Sequence, residues 1–372
     1  MRIQAVSYNN FYKSNVVNFK SNLNKDKNQI AKRTEEPNLS TYVNLMSNKM
    51  NVDANIKFFV SGLCKIDTDT KREHKPLEIT DIGCCDGALC RKLSEFLPQN
   101  AKYYGLDLSD NMLKEAREKD DKLGRKNTFY EVGNAFNLPY KENSKDAIIL
   151  SSIMHELYSY PSEEYGEDAY SKDSILHFMQ KAYKCLKPGG VLIIKDPATA
   201  GIDAYEPIKI ANINKQDGEL PVIEDKEELQ KANITKLSTY DKLRRFETDF
   251  YPARGQMKWD ENGDCIMPRW LVTEWVRHRK WLRTPENWAY EIKENYGTMR
   301  PDEMSEFAKK AGYSVVKIEN ISIPNENNIY KINENEFEIK DMNDNKLSLE
   351  DFPMFLEVVL RKPRENKPNI KY

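Results

Sequence analysis

Between residues 77 and 196 the apolar positions follow two alternating rhythms. Short runs rich in β-branched and aromatic residues, Leu77 to Ile82, Lys102 to Leu108, Thr128 to Val132, Asp146 to Leu150 and Val191 to Lys195, read as buried strands. Ala88 to Phe96, Asp110 to Lys119 and Ser174 to Leu186 repeat apolar positions at helical spacing, the second of them behind the N-cap candidate Ser109. Such alternation implies right-handed βαβ units and a mainly parallel sheet covered by helices on both faces. After Asp196 the rhythm lapses for about a hundred residues, whose clearest element is a helix from Arg269 to Arg283. It resumes with a helix from Pro301 to Ala311 ended by Gly312, a strand from Tyr313 to Ile318 and a last strand from Phe355 to Leu360. The predicted fold is α/β: a doubly wound, mainly parallel seven-stranded sheet with a large insertion after the fifth strand. An N-terminal helical extension precedes it, because Leu45, Met46, Met50, Ile56, Phe59 and Val60 recur near helical spacing.

Composition narrows the function classes. Of 372 residues 39% are apolar, enough for a substantial core, and the formal net charge of -2 provides no global positive field for a polyanion. The six cysteines show neither paired metal-ligand spacing nor the density of a disulfide scaffold, so no metal site is expected. With no apolar run near the roughly 20 residues that span a bilayer, and no secretory leader pattern, a cytoplasmic protein is expected.

The strand at residues 77–82 runs through Asp81-Ile82-Gly83-Cys84-Cys85-Asp86-Gly87 directly into a helix. Glycines there let the backbone turn tightly beside a ligand, and the helix N-terminus offers free N–H groups to a polar, nucleotide-like cofactor. The next strand ends in Leu106-Asp107-Leu108, where a carboxylate can accept from both hydroxyls of a ribose. A dinucleotide fingerprint would need glycine at Cys85 and near Ala88, and neither is glycine.

On these residues the chain resembles the class I S-adenosylmethionine-dependent methyltransferases. DIGCCDG is similar to that family's first motif, LDLSDNML to its second strand, GNAFNLPY to the segment that brackets the adenine, DAIILSSIMHEL to the fourth motif and LKPGGVLIIKDP to the fifth strand with its preceding turn. The resemblance implies S-adenosylmethionine as cofactor. It places Asp81, Gly83, Cys85 and Gly87 at the methionine moiety, Asp107 on the ribose, Leu108, Asn134 and Ala135 at the adenine and Ser151 near the methyl group. Two positions depart from the pattern: Cys85 replaces the usual middle glycine, and Asn134 an acid.

The expected organisation is a disordered tail at 1–38, helices and a linker at 39–75, a cofactor-binding α/β core at 76–198, an insertion serving as substrate lid at 199–298 and a C-terminal completion of the core at 299–372. His155, followed by Glu156, comes just beyond the fourth strand and is the candidate general base. Tyr158 and Tyr160, with Tyr165 and Tyr170 beyond, could line an acceptor pocket or sit in an ordinary loop. In the helix at Arg269, Arg277 and Lys280, with Arg279 and Arg283, read either as a solvated cationic side or as receivers of an anionic acceptor. The expected activity is methyl transfer to oxygen or nitrogen of a small molecule. A nucleic acid (RNA) or protein substrate is the second reading, and a non-catalytic cofactor-binding or scaffold protein the third. The oligomeric state is not legible.

Overall fold

The computed structural model describes residues 52–67, 75–97, 100–160, 170–201, 203–282, 284–323, 330–333 and 335–364. The expected tail at 1–38, Tyr165 and Arg283 lie outside the described residues. Along the chain come α1 (Val52–Leu63), β1 (Glu78–Ile82), α2 (Ala88–Phe96), β2 (Lys102–Asp107), α3 (Asp110–Lys122), β3 (Thr128–Val132) and β4 (Lys145–Ser151). There follow α4 (Met154–Ser159), α5 (Lys172–Cys185), β5 (Leu186–Pro197), β6 (Pro207–Ala211), α6 (Lys226–Lys231), α7 (Thr239–Asp249), β7 (Lys258–Trp259) and β8 (Cys265–Pro268). The last are α8 (Arg269–Trp281), α9 (Pro285–Glu291), α10 (Pro301–Lys310), β9 (Ser314–Ile321), β10 (Glu338–Lys340), β11 (Lys346–Leu347) and β12 (Phe355–Arg361).

The seven-stranded sheet has the order β3-β2-β1-β4-β5-β12-β9, the doubly wound α/β arrangement that the alternating rhythms predict. All seven residues of β4 are buried, which is why it reads as a continuous apolar run rather than an alternating one. The chain divides into two compact units, Met1–Ile149 with Pro161–Val191, and Leu150–Tyr160 with Leu192–Tyr372.

In the first unit β1, β2 and β3 pair in parallel, with Asp81 opposite Gly105 and Gly105 opposite Tyr130. Gly105 is required there, because a Cβ would run into the Cys84 thiol and the Tyr130 ring. Ser109 caps α3, its hydroxyl oxygen accepting from the Met112 N–H at 3.3 Å.

In the second unit β12 and β9 pair antiparallel, with Val358 opposite Ile318. The insertion contributes β6, β7 and β8 to a five-stranded antiparallel sheet of order β11-β10-β6-β8-β7. A core including Ile208, Ile210, Phe246, Phe250, Trp275 and Phe337 stabilises it. Residues 338–347, expected in the completion of the seven-stranded sheet, belong to this second sheet instead, with Ile339 opposite Ile210.

Candidate functional site

After β1 the backbone turns through three left-handed residues, Gly83 (φ 69°), Cys85 (φ 52°) and Gly87 (φ 74°). Glycine takes this conformation freely, and at Gly87 any Cβ would also collide with the Tyr130 hydroxyl. Cys85 takes it with a side chain attached, which strains the backbone at the middle of the turn. Asp107, at the end of β2, fixes the turn: Oδ2 accepts from the Cys85 N–H at 2.8 Å and Oδ1 from the Ser109 N–H at 2.9 Å. The Gly83 and Cys84 N–H groups donate to the Leu106 carbonyl at 2.7 and 3.1 Å, so turn and second strand form one rigid piece.

Asp81 lies beneath, 3% exposed, with Oδ2 3.9 Å from the Cys90 thiol and Oδ1 without a partner. Burial, and then the neighbouring charge of Asp107, push its carboxyl up to about 8. Near neutral pH such a carboxyl keeps its proton while no cation is near and gives it up when one arrives. These residues therefore fit a cofactor that presents an amino cation and a ribose.

The remaining first-unit candidates are placed as follows. Leu108 is 45% exposed beside Asp107. Asn134 is exposed, its Oδ1 accepting from the Phe136 N–H at 2.9 Å to cap the short helical turn that Ala135 begins. Sequence reasoning missed two supports. Asp86 is tied to Lys119 at 2.8 Å and Arg91 at 3.1 Å, and Tyr130, whose ring underlies Gly87, donates to Asp120 at 2.8 Å. The signal for Asp86 was its place in the turn; for Tyr130 there was none.

In the second unit Ser151 is buried at the end of β4, and His155 follows in α4, also buried. Asp196, at the end of β5, accepts from the Met154 N–H at 2.7 Å and the His155 N–H at 3.2 Å, and its Oδ1 meets His155 Nδ1 at 2.9 Å. His155 Nε2 lies 3.6 Å from Glu294. Burial opposes charge on the ring, but Asp196 and Glu294 outweigh it and hold His155 well above the usual histidine range. The Asp196 carboxylate at Nδ1 and the Glu294 carboxylate near Nε2 fix the orientation of the His155 ring. Glu156 is half-buried in the first turn of α4, Tyr158 is buried, and the Tyr160 hydroxyl donates to the Tyr290 carbonyl at 3.3 Å.

Arg277 requires a correction. It is fully buried, donating to the Ala198 and Met354 carbonyls at 2.7 and 3.0 Å and to Glu274 at 3.3 Å. It is a structural cation rather than a receiver of ligands, and it does not lie on a solvated side either. Arg279 is bound to Glu336 at 2.7 Å, whereas Lys280 is exposed. The helix predicted at Arg269 is present as α8, buried on more than one side because the second sheet supplies another packing surface.

The carboxyl of Asp81 makes stability depend on pH. A carboxyl whose folded value is raised holds its proton more tightly in the folded state, so stability is lost as pH rises between its ordinary and its folded value. The melting temperature is expected to fall from about pH 4 to about pH 8, and Asp81→Asn to flatten that slope. His155 adds loss of the same sign only above its ordinary range. An unchanged slope in Asp81→Asn would contradict the assignment.

A family model described as "Methyltransferase domain" matches residues 73–262, or 190 of the 372. A demethylmenaquinone methyltransferase of Oceanobacillus iheyensis is 30% identical over 125 residues, covering 34% of this chain and 46% of that protein. One from Lactococcus lactis is 27% identical over 130 residues, covering 35% and 46%. The chain thus spans about half the length of the curated relatives it matches. An S-adenosylmethionine-dependent methyltransferase structure from Mesorhizobium loti aligns at 18% identity over 78% of this chain and 92% of that one, with a TM-score of 0.40. Among the described residues no helix is long and apolar enough to cross a membrane. The family match takes in the turn at Asp81, the carboxylate at Asp107 and all of β4 and β5, and the chain accordingly belongs to the class I S-adenosylmethionine-dependent methyltransferases.

Proposed function

We propose that the protein binds S-adenosylmethionine in the Asp81 to Asp107 cradle and transfers its methyl group to an oxygen or nitrogen of a small-molecule acceptor in the cytoplasm. The observation that carries the reading is the pair of carboxylates: Asp107 locked to the turn by two N–H groups, and Asp81 with a buried oxygen that has no partner. When bound, the cofactor supplies an electrophilic methyl on a sulfonium. Asp107 keeps lone pairs for the ribose hydroxyls, and Asp81 Oδ1 answers the amino cation of the methionine moiety. Gly83, Cys85 and Gly87 carry the backbone beneath that moiety, with Leu108, Asn134 and Ala135 at the adenine and Ser151 towards the methyl. His155, clamped by Asp196, positions the start of α4. His155 and Glu156, adjacent in α4, are the groups proposed to take a proton from the acceptor.

A small molecule is supported by the names of the relatives, which act on demethylmenaquinone, and by the lack of net positive charge. An RNA acceptor gains nothing from α8, whose central arginine is buried. Calorimetry with S-adenosylmethionine and S-adenosylhomocysteine tests the proposal, and absence of binding to the intact protein would sink it.

Cys85 supplies a sharper test. A non-glycine residue in the left-handed region costs roughly 1–2 kcal/mol, so Cys85→Gly is expected to raise the melting temperature by a few degrees and to bind S-adenosylhomocysteine at least as tightly. A variant that binds less tightly would mean the thiol itself contacts the cofactor.

A further inference from the structure

The second unit holds a cleft of about 540 Å³ between α6, α7 and α9, a volume within the range that small molecules occupy. Its walls are fixed by side chains that bond one another. Arg245 of α7 is 9% exposed, and its Nη1 donates to the Leu229 and Ala232 carbonyls at 2.9 and 3.3 Å, which ties α7 to the end of α6. Asp249 Oδ2 accepts from Arg245 Nε and Nη2 at 3.1 and 2.8 Å and from Trp288 Nε1 at 2.9 Å, which ties α7 to α9. Gln230 of α6 donates to the Thr248 hydroxyl as well. A cleft whose walls are set before a ligand arrives loses little affinity to ordering.

The lining combines apolar surface with a single uncompensated charge. Ile234, Trp288 and Ile292 supply the apolar part, and the small side chains of Ala232 and Ala289 leave room beside them. Arg245 and Asp249 pair at 2.8 Å and cancel. Arg254, just past α7, does not cancel: it is exposed, and among the described residues no carboxylate pairs with it. Its Nε and Nη2 donate to the Thr248 carbonyl at 3.1 and 3.0 Å, and the guanidinium stands over the Tyr251 ring at 5.3 Å. Carbonyl and ring thus hold the cation in place and leave its Nη1 available.

We infer that this cleft binds a small organic anion, a carboxylate or phosphate carried on a flat apolar body, with the head group on Arg254 and the body against Trp288 and Ile292. The head group follows from the charge, since a guanidinium takes carboxylate or phosphate oxygens through short, charge-assisted N–H bonds. The body follows from the lining, where an indole and two isoleucines favour an aromatic or similarly flat group. Every lining residue lies between 230 and 292, and none is a cofactor or acceptor candidate. The inference therefore goes beyond the methyltransferase reading and does not depend on it.

The test uses the full chain without S-adenosylmethionine and probes that share one ring system: 1-naphthoate, 1-naphthyl phosphate and the neutral 1-naphthylmethanol. Calorimetry is expected to show at least one anion binding with a Kd below about 1 mM, weakening as salt rises, and the neutral probe binding roughly tenfold less tightly or worse. Comparison of the two anions separates a carboxylate site from a phosphate site. Arg254→Gln should weaken anion binding roughly tenfold and leave the neutral probe unchanged. Ala289→Phe, which fills the cleft, should abolish binding of every probe. Both residues are exposed, so both variants should melt with the wild type. The inference is overturned if neither anion binds at millimolar concentration, if the neutral probe binds as tightly as the anions, or if either variant binds the anions as the wild type does.

Discussion

Asp107→Ala is expected to weaken S-adenosylhomocysteine binding by a factor of about 100 or more, as read by calorimetry. The carboxylate is placed to do two things at once. Its oxygens hold the N–H groups of Cys85 and Ser109, and in the proposed function the same oxygens take the hydroxyls of a ribose. Each hydrogen bond to a charged group contributes roughly 1.5–3 kcal/mol, and the alanine also frees the turn at Cys85, so cofactor contact and cradle shape are lost together. Asp107→Asn separates them: it keeps one acceptor and the size of the side chain, and should fall between wild type and alanine. If Asp107→Ala bound as tightly as wild type, the cofactor would not lie in this cradle.

Glu274→Ala should produce the largest loss of stability. The side chain is entirely buried; it accepts from two backbone N–H groups and faces Arg277, itself fully buried and bound to two carbonyls. Removing one partner of a buried pair leaves an uncompensated charge, at about 3–5 kcal/mol, on top of two orphaned N–H groups. A fall of roughly 10 °C or more in the melting of the second unit follows, measurable by scanning calorimetry. Arg277→Met in the same background should recover part of it, because the stranded cation is then gone. A fall of only a degree or two would show that water reaches the pair.

The α/β core was legible in the sequence because its signals are local. The strand through Asp81, the capped helix after Ser109 and the apolar run of β4 each follow from a handful of neighbouring residues. The turn at Asp81 to Gly87 and the acid at Asp107 were legible for the same reason, since both hang on strand ends. What escaped is what depends on distant partners. The second sheet joins residues near 210, 266 and 339, in strands of only two to five residues that carry little alternation of their own. Nothing near His155 in the chain announces that Asp196 and Glu294 face its ring. Arg277 looked accessible because a cationic helix face is usually a wet one, and only the packed unit shows carbonyls closing around it. The cleft lined by Arg254 and Trp288 carries no motif at all.

The second sheet also imposes a timetable on the nascent chain. β6 and β8 are complete once Pro268 is synthesised, but β10, which pairs with the other edge of β6, arrives about 70 residues later. At 5–20 residues per second that is roughly 4–14 s, during which β6 presents an open edge to any extended strand nearby. β6 itself reads Pro-Ile-Lys-Ile-Ala, with a proline at its start and a lysine at its centre, two residues that discourage edge-to-edge pairing during the wait.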